Sequence, residues 1–90
     1  MVITTNLRIM RLRYGISLVE LERYHAFSNQ YLSKLELGEA NRTPYNEAVV
    51  EKAIALMIAS RKQALADLEH FFEVHRGHLL ETLEVESDEL

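Results

Sequence analysis

Apolar residues recur along this chain at steps of three and four, and serine, threonine and glycine punctuate the recurrence where helices would begin and end. Leu7, Met10 and Tyr14 fall at i, i+3 and i+7 on one face of a first helix, opened by Thr4, Thr5 or Asn6 and closed by Gly15. Ser17 is placed to cap a second helix through about His25. Its hydroxyl would accept from the free N–H groups of the first turn, and Glu20 three residues on would complete a capping box. Ser28 opens a third helix that stops before Gly38. Glu39 to Arg42 is a polar loop. Thr43 precedes the single proline, which suits the first turn of a helix because its missing N–H would have no partner there. Val49, Val50, Ala53, Ile54, Met57 and Ile58 give that fourth helix a broad apolar face.

Beyond Ala59 there is neither proline nor glycine until Gly77. Ser60 with Gln63 has the form of a fresh capping box, so two arrangements are open: a short break near residue 60, or one helix running through it. Leu65, Leu68, Phe72, His75 and Leu79 then alternate three- and four-residue steps, a heptad-like seam. The expected division is a domain over 1–60, a long C-terminal helix over 61–84 and a frayed acidic tail over 85–90. The expected fold class is all-α.

Ninety residues suit one small domain with an appendage, and a core of that size gains from a partner chain. With no cysteine, disulfides and thiolate metal sites are excluded. The longest apolar run, Ala53 to Ala59, is far too short to span a bilayer, and the N-terminal stretch lacks the pattern of a secretory signal. A cytoplasmic protein with no membrane partner is therefore expected. The net charge of −4 is unevenly spread: residues 1–43 carry +2 and residues 44–90 carry −6. A mildly basic front and an acidic back would orient the molecule on a polyanion, although an ordinary domain with a solvated acidic tail has the same balance.

The third helix carries the sharpest chemistry. At 100° per residue, Leu32 and Leu35 define its buried side. Asn29, Gln30, Ser33 and Lys34 spread over the opposite arc, with Tyr31 on the flank and Leu37 outward. Asparagine and glutamine bridge N6 and N7 of adenine, lysine donates to guanine or phosphate, and Ser28 with the helix-start N–H groups suits phosphate oxygens. Two short capped helices joined by a few residues, the second with a polar outer face, form the layout of a helix-turn-helix.

From Leu7 to Pro44 the chain resembles the phage-repressor (lambda/Cro-like, or XRE) helix-turn-helix family. The matching elements are Leu-Arg-x-x-Arg at 7–11, Gly-Ile-Ser at 15–17, Glu-Leu at 20–21, Ser28, and Leu-Ser-Lys-Leu-Glu-x-Gly at 32–38. The resemblance implies a bundle of four or five helices, dimers on palindromic operators and no catalysis. It implies an ion pair between Arg11 and Glu36, base reading by Asn29, Gln30 and Lys34, and phosphate contacts near Asn41 and Arg42. The chain departs from the family pattern at Leu18, Glu22, His25 and Ala26, and on that pattern Glu22 and His25 would face inward.

The seam Leu65, Leu68, Phe72, His75 and Leu79 would either fold back on the domain or pair with the same helix of a second chain, and a homodimer is the expectation. Protonation of His75 in such a seam would make pairing pH-sensitive. His70, His75 and His78 with Glu69, Glu73 and Glu81 offer no convincing fourth ligand, so neither metal nor cofactor is expected. No nucleophile–base set or phosphate loop suggests an enzyme. The function expected is that of a sequence-specific DNA-binding regulator, a repressor. The alternative is a protein-interaction module, antitoxin-like or a scaffold, with a protein partner at the acidic C-terminal part.

Overall fold

The computed structural model of the chain describes residues 3–86 and Asp88. It is all-helical: α1 (Asn6–Arg13), α2 (Leu18–Arg23), α3 (Asn29–Glu36) and α4 (Pro44–His75), with no strand among the described residues. Each start is made by a hydroxyl accepting a first-turn N–H: Thr5 from Arg8, Ser17 from Glu20, Ser28 from Tyr31 and Thr43 from Asn46. Pro44 occupies the first turn of α4. After α1 the chain turns at Gly15 with φ +63°, and the N–H of Ile16 reaches back to the carbonyl of Arg11 at 2.9 Å. A side chain at Gly15 would resist that left-handed turn, which swings Ile16 into the core.

Ile16, Leu21, Leu32 and Met57 form the buried cluster, with Leu7, Met10, Leu18, Phe27, Val50 and Ile54 packed around it. Leu21 and Leu32 are fully buried and contribute roughly 1.5–3 kcal/mol each through the apolar surface they hide. The cluster joins α2 to both α3 and α4, and α1 rests on α3. The backbones of α1 and α4 do not approach one another. Tyr14, expected on the buried face of α1, is 63% exposed, because α1 ends at Arg13 and Tyr14 has left the helical path.

Among the described residues one polar side chain is buried. Glu36 is 1% exposed, and its carboxylate receives two bonds from Arg11, Nε to Oε2 at 2.7 Å and Nη2 to Oε1 at 2.9 Å. Arg8 Nη1 adds a third bond to Oε1 at 3.2 Å. Arg11 also donates to the carbonyl of Ile16 at 3.1 Å, and the Thr5 hydroxyl donates to the carbonyl of Glu36 at 2.7 Å. The hydrogen bonds to Glu36 hold the Arg11 guanidinium protonated more firmly than usual, against the opposing effect of its own burial. Among the described residues no buried side-chain nitrogen or oxygen lacks a partner.

The fourth helix does not break at residue 60. It runs unbroken for 32 residues, and Gln63 donates to Asp67 at 3.0 Å rather than capping a new helix. Nor does the helix reach residue 84: it stops at His75, and Gly77 turns the chain away at φ +83°. Leu79 therefore lies beyond the helix, off the seam expected of it. Of the acidic tail expected over 85–90, Ser87, Glu89 and Leu90 lie outside the described residues. The long helix sets the shape. Its span of roughly 48 Å at 1.5 Å per residue accounts for most of the 54 Å longest dimension. The radius of gyration, 18.4 Å, far exceeds the roughly 12 Å of a compact chain this long.

Glu20 does not close the capping box from its side chain. Its carboxylate instead takes two bonds from Arg61 of α4, at 2.9 and 2.6 Å. The hydrogen bond from Arg61 holds the Glu20 carboxyl below its ordinary value of 4.5, with attraction to Arg61 and Arg23 assisting and partial burial opposing.

Glu36→Ala strands two arginines and is expected to destabilise the fold by about 3–5 kcal/mol in urea denaturation, whereas Arg8→Ala, at the exposed edge of the network, should cost much less. Equal losses for the two variants would contradict the arrangement. The Glu20 contribution is present above its ordinary value of 4.5 and is lost as pH falls through the lower folded value. The stability difference between the parent and Glu20→Gln should therefore be measurable at neutral pH and shrink as the solution is acidified below 4.5. A difference unchanged on acidification would refute the linkage.

Candidate nucleic-acid interface

The ion pair and Leu32 hold α3 by one face, and this decides what its other face presents. Leu32 and Glu36 are buried and Leu35 is half-buried. Gln30 and Lys34 are exposed on the opposite side, Asn29 and Ser33 are half-exposed beside them, and Ser28 is exposed at the helix start. None of the side chains of Asn29, Gln30, Ser33 and Lys34 makes a hydrogen bond to another described residue. They form one contiguous polar face. Leu37 follows it as the 40%-exposed residue at the end of α3.

Tyr31 has a different role from its neighbours. Its ring meets Phe27 edge-on at 4.8 Å, and its hydroxyl accepts from Asn46 Nδ2 at 3.1 Å. The same amide nitrogen donates to the carbonyl of Asn41 at 3.0 Å. Asn46 thereby ties α3, the 39–43 loop and the first turn of α4 together, and it leaves the side chains of Asn41 and Arg42 exposed beside α3. The sequence signal for Asn46 was slight: a polar residue three after the capping Thr43.

The turn between α2 and α3 is built otherwise than the resemblance implied. Glu22 and His25 are both exposed rather than turned inward. The reasons are local: Glu22 follows the buried Leu21 by about 100° and so lies on the outer side of α2, while α2 ends at Arg23 and His25 adopts φ +65°, the left-handed conformation that lets the chain reverse into Ala26 and Phe27. The inner positions are taken by Leu18, Leu21 and Tyr24. With Leu18 half-buried against the core, the start of α2 offers no polar side chain at that position.

The C-terminal seam residues lie apart from this face. Leu65, Leu68 and Phe72 are exposed on the free half of α4, and His75 stacks on Phe71 at 4.1 Å while its Nδ1 approaches the Phe71 carbonyl at 2.8 Å. His78 pairs with Glu81 beyond the helix, and the described residues gather no group of three His, Asp or Glu that could hold a metal. No described helix is long and apolar enough to cross a membrane.

The left-handed His25 stores strain that glycine would not. His25→Gly is expected to raise stability by about 0.5–1 kcal/mol, the relieved Cβ clash less the added freedom of an unfolded glycine. A destabilised variant in thermal denaturation would mean that the imidazole supplies something the turn requires.

Comparison with protein-family models, with curated proteins and with solved structures finds no match to this chain.

Proposed function

We propose that the chain is a sequence-specific DNA-binding regulator of the lambda/Cro-like helix-turn-helix type, acting as a repressor and as a homodimer, with α3 entering the major groove. The observation that carries this reading is the division of α3 into two faces. One is clamped to the body by Leu32 and the Arg11–Glu36 pair, and the other offers Gln30 and Lys34 to solvent with no competing partner among the described residues. A rigid helix with an unoccupied donor and acceptor face suits reading base edges, because little ordering remains to be done on binding. Gln30 would bridge an adenine edge, with Asn29 beside it. Lys34 would reach guanine or phosphate, and Ser28, Asn41 and Arg42 would fix the helix against the backbone. Support also comes from the four-helix order with a five-residue turn between α2 and α3, and from the ion pair that the resemblance implied.

A protein-interaction module on the same fold is favoured by one observation, the apolar Leu18 at the start of α2. Salt separates the two readings. A DNA binder loses affinity for random duplex steeply as salt rises, and an interaction module binds little at any salt.

Selection of bound duplexes from a random library should return a palindromic site. On that site Gln30→Ala should cost about 1–3 kcal/mol and relax one base position, while Arg42→Ala should weaken all sequences alike. Failure to enrich any sequence, or parental binding by both variants, would overturn the reading.

A further inference from the structure

Ile54, Ile58, Arg61, Leu65, Leu68, Phe72 and His75 follow one another along α4 at steps of four and three, a single stripe running from the docked half of the helix to its free end. At 100° per residue these positions share an arc with Val50 and Met57, so the face that holds the body continues past it without a cover. Leu65, Leu68 and Phe72 are 55%, 63% and 45% exposed. Beside the docked half, where the backbones of α1 and α4 stay apart, lies a groove of about 800 Å³ floored by Leu7, Met10, Val50 and Ile54. It continues past Met10 and Ile54 into a second, more apolar hollow of about 390 Å³ that ends at Leu65. One molecule thus carries an apolar arm and, end to end with it, a trough with an apolar floor and a polar rim that includes Glu47 and Glu51.

We propose that two copies of this chain pair with their α4 helices antiparallel, each laying its free arm into the α1–α4 groove of the other. This deepens the homodimer put forward above and does not depend on DNA binding. Three observations select this occupant and this direction. First, the arm emerges from the face that bears the body, so a parallel pair would bring both bodies into the same space, and an antiparallel pair sets them at opposite ends. Second, a crossing centred at Gln63, next to Ala64 whose small side chain permits close approach, places Phe72 of the second copy against Ile54 and Leu68 of the second copy against Ile58. Third, that register brings Arg76 of the second copy to Glu51 at the groove lip, twice by symmetry. Glu51 has no ion-pair partner in its own chain among the described residues. Arg61, the one charge on the stripe, is drawn aside by Glu20 at 2.6 Å. An arm of roughly 25 Å covering a helix-wide trough on each copy hides on the order of 1,000 Å² in all, the lower bound of a specific interface.

The chain has no cysteine, so introduced ones report cleanly. Light scattering of the parent, without DNA, should give twice the chain mass. Under mild oxidation an equimolar mixture of Ile58→Cys and Leu68→Cys chains should cross-link, and Leu68→Cys alone should not. Leu68→Glu, at an exposed position, should keep its helical circular dichroism and raise the dimer dissociation constant at least about tenfold. A monomeric parent would overturn the proposal, as would self-linking by Leu68→Cys, the mark of a parallel pair. Neither result would bear on the reading of α3, which random-duplex binding tests separately.

Discussion

The structure depends on one buried carboxylate. Glu36 sits at the end of α3, far from water, and would be strongly unfavourable there alone. The fork of Arg11 meets both of its oxygens, Arg8 adds a third bond, and Thr5 takes the backbone carbonyl of the same residue. All three partners belong to the start of the chain, so α1 and α3 cannot separate without leaving charge unpaired. Arg11 then reaches on to the Ile16 carbonyl, which fastens the turn after α1 to the same point. A planar guanidinium can do this and a lysine cannot, since two parallel bonds and a third donor are needed at fixed angles.

From that clamp follows what α3 can present. The helix is held from behind by Leu32 and Glu36, and its flank is held by Tyr31 through Phe27 and Asn46. The outward residues gain their exposure from this support rather than from any property of their own. The same logic runs through the other end of the molecule in reverse. Half of α4 has a body to pack on, and the other half carries the same apolar face with nothing against it. The Glu20–Arg61 pair marks the boundary between the two.

Local chemistry was legible in the sequence wherever a short-range rule decides the outcome. Ser17, Ser28 and Thr43 cap where a hydroxyl before an apolar run should, and Gly15 and Gly38 sit in the left-handed turns that follow α1 and α3. The helical wheel put Leu32 inside and Gln30 and Lys34 outside because Cβ directions repeat every 3.6 residues wherever the helix lies. Glu22 and His25 were misplaced because the family pattern was carried onto a helix that ends at Arg23 and turns Leu21 rather than Glu22 inward, and a left-handed histidine has no signature in composition.

The sequence alone determined the number and kind of short elements, their starts, and which side of each is oily, since these rest on contacts within one or two turns. Only the tertiary structure decided the rest. The capping pattern at Ser60 was overridden, because a helix already propagating gains a bond per residue and needs no new start. Glu20 chose Arg61 over its own helix end because α4 passes within reach. Arg8 joined Arg11 on Glu36, and Asn46 came to bridge Tyr31 and Asn41, because distant segments met in space. Partners separated by many residues leave no periodicity to read; they are set by how the helices pack.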